Sequence, residues 1–255
     1  MFGIEQQTFD VLVYAWMGFA LFTLPFLLRI TAPYGRHVSS KWGPLISNTA
    51  GWIIMEWTVP LVFLIFFLGG ENRHSTVNWV LCSLWMLHYI NRSVIYPFRQ
   101  KSRGKQIPLL MVFFGVFYNF MNAFFVGHYL GTMRPPYAAQ WLWDPRFVCG
   151  CLLFFGGLSI NWWSDNILLN LRRPGETGYR IPRGGFFRFV SCPNHFGEIV
   201  EWSGFALMIW GLPAVAFALW TVTNLLPRAR DHHRWYVEQF ADYPARRKAV
   251  IPFVL

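Results

Sequence analysis

Long apolar segments, separated by short polar or Gly- and Pro-containing stretches, dominate the hydrophobic pattern of the chain. A helix needs about 20 mostly apolar residues to cross the hydrocarbon core of a bilayer, and these segments have that length. They lie near residues 9–29, 45–69, 77–97, 108–131, 146–169 and 196–226. The pattern therefore predicts an all-α, multi-pass membrane helical bundle.

The last apolar segment contains residue types that are typical of a helix boundary, Trp210-Gly211-Leu212-Pro213. Glycine favours the end of a helix, and proline is tolerated in the first turn of the next one. We expect segment 196–226 to form two helices, which brings the predicted total to seven transmembrane helices in one domain, residues 1–255.

The distribution of basic residues predicts the orientation of this bundle. Of the 22 lysines and arginines, 19 lie in alternate inter-helix segments. These segments are 29–41, 92–105, 165–188 and 228–248. Basic residues are enriched on the cytoplasmic side of membrane proteins. The N-terminus is therefore expected outside and the C-terminus in the cytoplasm, which requires an odd number of spans.

Composition excludes a soluble domain. Charged residues make up 13% of the chain and hydrophobic residues 55%, whereas soluble domains carry about 25% charged residues. The net charge of +10 is explained by basic segments flanking membrane spans, so we expect no nucleic-acid partner. The histidines and cysteines show no metal-ligand spacing, so no metal is expected. Either a bacterial inner membrane or an endoplasmic reticulum membrane fits, and we expect a monomer.

An acidic residue, Glu56, lies inside the apolar segment 51–68. A carboxylate at membrane depth costs several kcal/mol unless it is protonated, paired or facing a polar cavity. Glu56 is therefore the first candidate catalytic residue. The third segment adds Tyr89, Arg92 and Tyr96, which share one helical face. The alternative for this face is an interfacial helix end, with a snorkelling arginine and tyrosines at the membrane surface.

Two groups of polar residues in and after the fifth apolar segment suit a nucleotide cofactor. Asn161, Asp165 and Arg172 share one helical face and can hydrogen-bond an amide, a ribose or a phosphate. The alternative is a buried interhelical network with an arginine anchor. The loop 172–188 holds five arginines among Gly and Pro residues, which suits a polyphosphate. It carries no GxGxxG or P-loop motif, and contact with anionic lipid is its alternative.

Two further groups lie in the C-terminal third of the chain. Asn194 and Glu198 begin the sixth apolar segment, where an amide and a carboxylate could bind a cofactor; capping of the helix N-terminus is the alternative. Arg228, His232 and Tyr236 share a face of a polar helix and could bind a phosphate and stack on a base. A basic helix lying on the membrane surface is the alternative.

These motifs resemble those of the steroid 5α-reductase family. The similar stretches are Arg172–Gly185 (RRPGETGYRIPRGG), Asn194–Trp202 (NHFGEIVEW) and Tyr243–Phe253 (YPARRKAVIPF). The resemblance implies a seven-helix membrane reductase that uses NADPH, with the family's catalytic Glu at Glu56 and its catalytic Tyr at Tyr89. Its cofactor contacts would fall on Arg92, Lys105, Asn161, Asp165, Arg172, Tyr179, Asn194, Glu198, Arg228, His232 and Tyr236. The chain departs from the family at Met55, where Gln is often found.

The sequence thus predicts NADPH-dependent reduction of the Δ4 double bond of a 3-oxo-steroid that enters from the bilayer. Hydride would go to C5, and Tyr89 with a protonated Glu56 would donate hydrogen bonds to the C3 oxygen. Two alternatives remain. One is a related membrane enzyme, such as a sterol C14 reductase or an isoprenylcysteine methyltransferase. The other is a lipid transporter or scaffold with Glu56 as a proton site.

Overall fold

Helices dominate the computed structural model, which describes residues 3–100, 104–172, 176 and 178–255. Within these ranges, seven α-helices have fifteen or more residues, in agreement with the predicted number. They are α1 (Gln6–Leu27), α2 (Asn48–Leu68), α3 (Thr76–Ile90), α5 (Leu109–His128), α6 (Pro145–Leu169), α7 (Pro193–Ile209) and α8 (Leu212–Gln239), with the short α4 (Tyr96–Arg99) after α3. Helical segments 6–27, 48–68, 109–133 and 145–169 are long and apolar enough to cross a membrane.

The structure departs from an all-α fold at one small sheet. Strand β1 (Leu45–Ser47) pairs antiparallel with β2 (Gln106–Pro108), with Ile46 opposite Ile107. The chain divides into two compact units: unit 1 comprises residues 1–16, 32–148 and 211–214, and unit 2 comprises residues 17–31, 149–210 and 215–255. The single transmembrane domain stays a prediction.

In unit 1, helix α2 packs along α5 through glycines of α5 and of the turn that follows it. A Cβ added at Gly127 would lie 2.7 Å from the carbonyl oxygen of Phe63, so the two backbones lie in close contact there. On another side of α2, Phe63 stacks on Trp85 of α3 with ring centroids 5.1 Å apart. These contacts fix α2, which carries Glu56, between α3 and α5.

A π-helical turn, Asn91–Ile95, follows α3 where the sequence predicted an uninterrupted span. The backbone N–H of Tyr96 donates to the carbonyl oxygen of Asn91, five residues earlier. Pro97 lacks an N–H and cannot bond the carbonyl of Ser93, which favours such a turn. The insertion rotates the residues after Ile90 relative to the rest of α3, and Arg92 and Ser93 lie within it.

The predicted break in segment 196–226 is confirmed. Helix α7 ends at Ile209, and Trp210 adopts a left-handed backbone conformation with φ of 48°. Helix α8 then begins at Leu212, as the Gly-Leu-Pro sequence predicted. The predicted end near residue 226 is wrong, because α8 continues through Pro227 to Gln239. The polar face with Arg228 therefore belongs to the same helix as the last apolar segment.

Helices α6 and α7 pack with their backbones in contact at glycines. A Cβ at Gly157 would collide with the carbonyl oxygen of Gly197 and the backbone nitrogen of Glu201. A Cβ at the neighbouring Gly156 would meet nothing within 4 Å. The two adjacent glycines therefore differ only in what faces them.

We expect Gly157→Ala to destabilise the protein by about 1–3 kcal/mol, because an added methyl forces two packed backbones apart. Gly156→Ala is the matched control and should leave stability unchanged or slightly raised, since alanine favours helix over glycine. Thermal unfolding in detergent, followed by tryptophan fluorescence, measures both. Equal midpoints for the two variants would contradict the close α6–α7 packing.

Candidate functional site

The acidic residue of the apolar segment, Glu56, is buried in α2 with 9% of its surface exposed. Its carboxylate Oε1 lies 3.7 Å from Nε of Arg92 in the π-helical turn. Ser93 of the same turn donates a hydrogen bond from its hydroxyl to the backbone carbonyl of Glu56, at 3.0 Å. The turn therefore joins the two helical segments that carry the predicted catalytic residues.

Arg92 is held in place by aromatic rings. Its guanidinium lies 5.1 Å from the ring centroid of Trp52 and 5.1 Å from that of Tyr96. Both are cation–π distances, and such contacts stabilise the charged group. Glu56, Trp52 and Tyr96 therefore all lie next to the guanidinium of Arg92.

Tyr89 is buried in the last turn of α3, with 5% of its surface exposed. Its ring lies 5.1 Å from the ring of Trp85 and 5.0 Å from that of His88. Tyr89 precedes Arg92 by three residues and Ser93 by four, which corresponds to about one helical turn. Unit 1 thus places a buried phenol one turn from the residues that contact Glu56.

Two polar residues of this site were not identified from the sequence. Ser93 contacts Glu56 as described, and Asn119 of α5 donates from its side-chain amide to the carbonyl oxygen of Met55 at 2.7 Å. Both are buried polar groups in apolar segments. The same rule that singled out Glu56, the cost of a polar group in lipid, could have identified them.

In unit 2, the structure brings three of the predicted cofactor residues together. Asn194 donates from its side-chain amide to Oδ1 of Asp165 at 3.1 Å. Asn161 donates to the backbone carbonyl of Asn194 at 3.0 Å. Asn161 and Asp165 are buried, and Asn194 is half-buried. This network joins α6 to the first turn of α7, in agreement with the interhelical network considered as an alternative from the sequence. Asn194 remains partly exposed.

The arginine-rich loop is described in part. Arg173, Pro174, Gly175 and Thr177 of its motif lie outside the described residues. Arg172 donates from Nη1 to the carbonyl oxygen of Gly178 at 3.3 Å. The ring of Tyr179 lies 4.8 Å from that of Trp235 in α8.

The face of α8 predicted to bind the cofactor is unevenly exposed. Arg228 and His232 are half-buried, whereas Tyr236 is buried and stacks on Tyr243 at 5.4 Å. One face of the Tyr236 ring is therefore already covered, and a base could stack only on the other. The ring of His195, a residue not identified from the sequence, lies 6.0 Å from that of His232.

The two remaining predicted residues are Glu198 and Lys105. Glu198 is half-buried on α7, one turn after Asn194. Lys105 is an exposed residue of unit 1, and its backbone carbonyl accepts a hydrogen bond from the N–H of Asn48 beside the small sheet. Across the described ranges, no group of three or more His, Cys, Asp and Glu side chains could hold a metal ion.

The donor set of unit 2 fits a nicotinamide dinucleotide. Guanidinium groups suit phosphates, and amides and carboxylates suit ribose hydroxyls and a carboxamide. Arg172 and Arg228 supply the first kind of group, and Asn161, Asp165 and Asn194 supply the second.

Residues 105–255 match the sequence model of the family described as 3-oxo-5-alpha-steroid 4-dehydrogenase. Steroid 5-alpha-reductase DET2 of Gossypium hirsutum is 38% identical over 256 residues, which cover 98% of this chain and 98% of that protein. 3-oxo-5-alpha-steroid 4-dehydrogenase 1 of Rattus norvegicus is 41% identical over 256 residues, covering 98% and 97%. The protein of the same name from Bos taurus is 38% identical over 255 residues, covering 98% of each chain.

Proposed function

The chain belongs to the 3-oxo-5-alpha-steroid 4-dehydrogenase family, a family of oxidoreductases, and on that premise we propose that it reduces the Δ4 double bond of a 3-oxo-steroid with NADPH. The observation that carries the proposal is a buried acid, Glu56, beside the helical segment that holds Tyr89 and Arg92. The substrate is apolar, and the apolar helices make entry from the bilayer the natural route.

The catalytic role falls on Tyr89 and Glu56. When bound, NADPH supplies the hydride that C5 of the steroid accepts. Negative charge then develops on the C3 oxygen, and hydrogen bonds from the Tyr89 hydroxyl and a protonated Glu56 stabilise it. Burial excludes water from both side chains, which strengthens these bonds. A proton added at C4 completes the reduction.

Cofactor binding falls mainly on residues of unit 2. Arg172 and Arg228 suit the phosphates, and Asn161, Asp165 and Asn194 suit hydroxyl or carboxamide groups. We assign the other predicted contacts of unit 2 to the same cofactor: Tyr179, Glu198, His232 and Tyr236. The contacts of Arg92 and Lys105 in unit 1 stay predictions from the family resemblance.

A product assay tests the proposal directly. Membranes that contain the protein are incubated with NADPH and a panel of Δ4-3-oxo-steroids, and products are identified by mass spectrometry. We expect 5α-dihydro steroids, two mass units heavier than the substrates, and purified protein that retains NADP(H). Retention of S-adenosylmethionine with no dihydro product would indicate a methyltransferase instead.

The cofactor residues yield a separate prediction. Arg172→Ala and Asn194→Ala should each weaken NADPH binding by about 1.5–3 kcal/mol, roughly 10- to 150-fold in Kd, because each removes a charge-assisted or buried hydrogen bond. Steroid binding should change little. Isothermal titration with NADPH on purified protein measures the effect.

Arg146→Ala is the control for this prediction. Arg146 forms a bidentate contact with Asp144 and lies 4.4 Å from the Trp141 ring, and its hydrogen bonds lower the pKa of Asp144 to about 2. The residue thus has a local partner and lies in a segment predicted to face outside. An equal loss of NADPH affinity in Arg146→Ala would refute the proposed sidedness of the cofactor site.

We propose the orientation given by the basic segments, with the N-terminus outside and the C-terminus in the cytoplasm. A reporter fused after Leu255 should be cytoplasmic, and one fused before Met1 should be external. Labelling of a C-terminal tag by an impermeant probe in intact cells would overturn the seven-span topology.

A further inference from the structure

A pocket of about 320 Å³ lies in unit 2, beside α8 and the end of α1. Its lining includes three basic residues, Arg230 and Arg234 of α8 and Lys248 of the C-terminal segment. It also includes the apolar residues Leu28, Val254 and Leu255. The volume is within the range of small-molecule sites, and this mixed lining suits a ligand with an anionic end and an apolar end.

The charges in this pocket leave a positive surplus. Asp231 pairs with Arg234, with 2.6 Å between Oδ1 and Nη2. Within the described part of the chain, no carboxylate lies at ion-pair distance from Arg230 or Lys248. Burial and the nearby Arg247 and Lys248 lower the pKa of His233, which disfavours its charged form. Arg230 and Lys248 are therefore available to an incoming anion.

Exposed hydrophobic residues adjoin the apolar lining of the pocket. Phe253 is 78% exposed and Val254 is 73% exposed. The surrounding turn is ordered, because the carbonyl of Leu255 accepts hydrogen bonds from the N–H groups of Val250 and Ile251. Leu28 is the first residue after α1, a helix long and apolar enough to cross a membrane. The pocket thus lies beside the end of a helix that could cross a membrane.

The basic residues of α8 that line this pocket lie on a different helical face from the predicted cofactor residues. Arg228, His232 and Tyr236 recur at intervals of four residues on one face. Arg230 and Arg234 are offset from Arg228 and His232 by two residues, or about 200° around the helix. The same helix therefore presents two separate basic faces.

We propose that this pocket binds the headgroup phosphate of an anionic phospholipid, with Arg230 and Lys248 as its ligands and an acyl chain along Leu28 and Val254. Charge complementarity and the adjoining exposed apolar surface favour a lipid over a soluble anion. The proposal depends on the membrane embedding of the chain and not on the reductase activity.

Native mass spectrometry of the full chain in detergent tests this site. Dioleoylphosphatidylglycerol and dioleoylphosphatidylcholine are added at equal concentrations. We expect wild type to retain phosphatidylglycerol about tenfold or more over phosphatidylcholine, since each basic residue near an anionic lipid contributes about 1 kcal/mol. Arg230→Gln/Lys248→Gln should lose this preference. Lys41→Gln/Arg246→Gln removes the same charge outside the pocket and should keep it.

A charge-conserving variant guards against misfolding. Arg230→Lys/Lys248→Arg keeps both cations and should retain the preference for phosphatidylglycerol. If this variant loses the preference, the site is not built on charge. Equal retention of the two lipids by wild type would overturn the proposal. So would displacement of the lipid by millimolar inorganic phosphate, which indicates a soluble-anion site. Displacement by NADPH would assign the pocket to the cofactor and overturn the proposal as well.

Discussion

Tyr89→Phe is expected to lower steroid-dependent NADPH oxidation about 10²–10³-fold, near 3–4 kcal/mol, because it removes one hydrogen-bond donor from the developing charge on the C3 oxygen. The substitution removes one oxygen and almost no volume. The ring can keep its contacts with Trp85 and His88, so folding and NADPH retention should be unchanged. The loss should therefore appear in the chemical step alone.

Single-turnover NADPH oxidation in detergent with saturating steroid measures this loss. Tyr14→Phe is the matched control, since Tyr14 is 62% exposed on α1 and should give wild-type turnover. Near-normal turnover in Tyr89→Phe would remove the phenol from the mechanism. The tyrosine would then have the structural role of an aromatic residue packed at the end of a span.

Glu56→Ala is expected to lower turnover by a similar factor, about 10²–10³-fold, because it removes the other hydrogen-bond donor to the C3 oxygen. It also leaves the guanidinium of Arg92 without the carboxylate that lies 3.7 Å away. Glu56→Gln keeps the side-chain shape and a hydrogen-bond donor. If the neutral acid acts in catalysis, Gln should cost much less than Ala.

The comparison of Gln with Ala also decides the charge state of Glu56. A catalytic role for the Glu56 carboxylate as an ion predicts that Gln and Ala are equally inactive. The same single-turnover assay measures both variants. Glu5→Gln, an exposed acid near the N-terminus, is the control and should behave as wild type.

The number of long helices in the described residues and the break at residues 210–212 could be predicted from the sequence. Hydrophobic length and the conformational preferences of Gly and Pro are local properties, so they act in the same way whatever the rest of the chain does. The depth of Glu56 and Tyr89 in their segments follows from the same pattern. Both residues are buried in the structure.

Other features depended on the packing of distant segments. The π-helical turn at Asn91–Ile95 places Arg92 beside Glu56, and no periodic pattern indicates such a turn. Pro97 contributes to it, but a proline at a predicted span end is ordinary at the sequence level.

The sequence by itself determined which residue types lie at membrane depth, because the cost of a polar group in lipid depends on the residue and its apolar flanks. The tertiary structure alone decided which of them meet. Asp165 and Asn194 bond across 29 residues, and Ser93 bonds to the backbone of Glu56 across 37. Such pairings depend on how helices cross, and close crossing required glycines such as Gly157, whose missing side chain lets α6 and α7 touch.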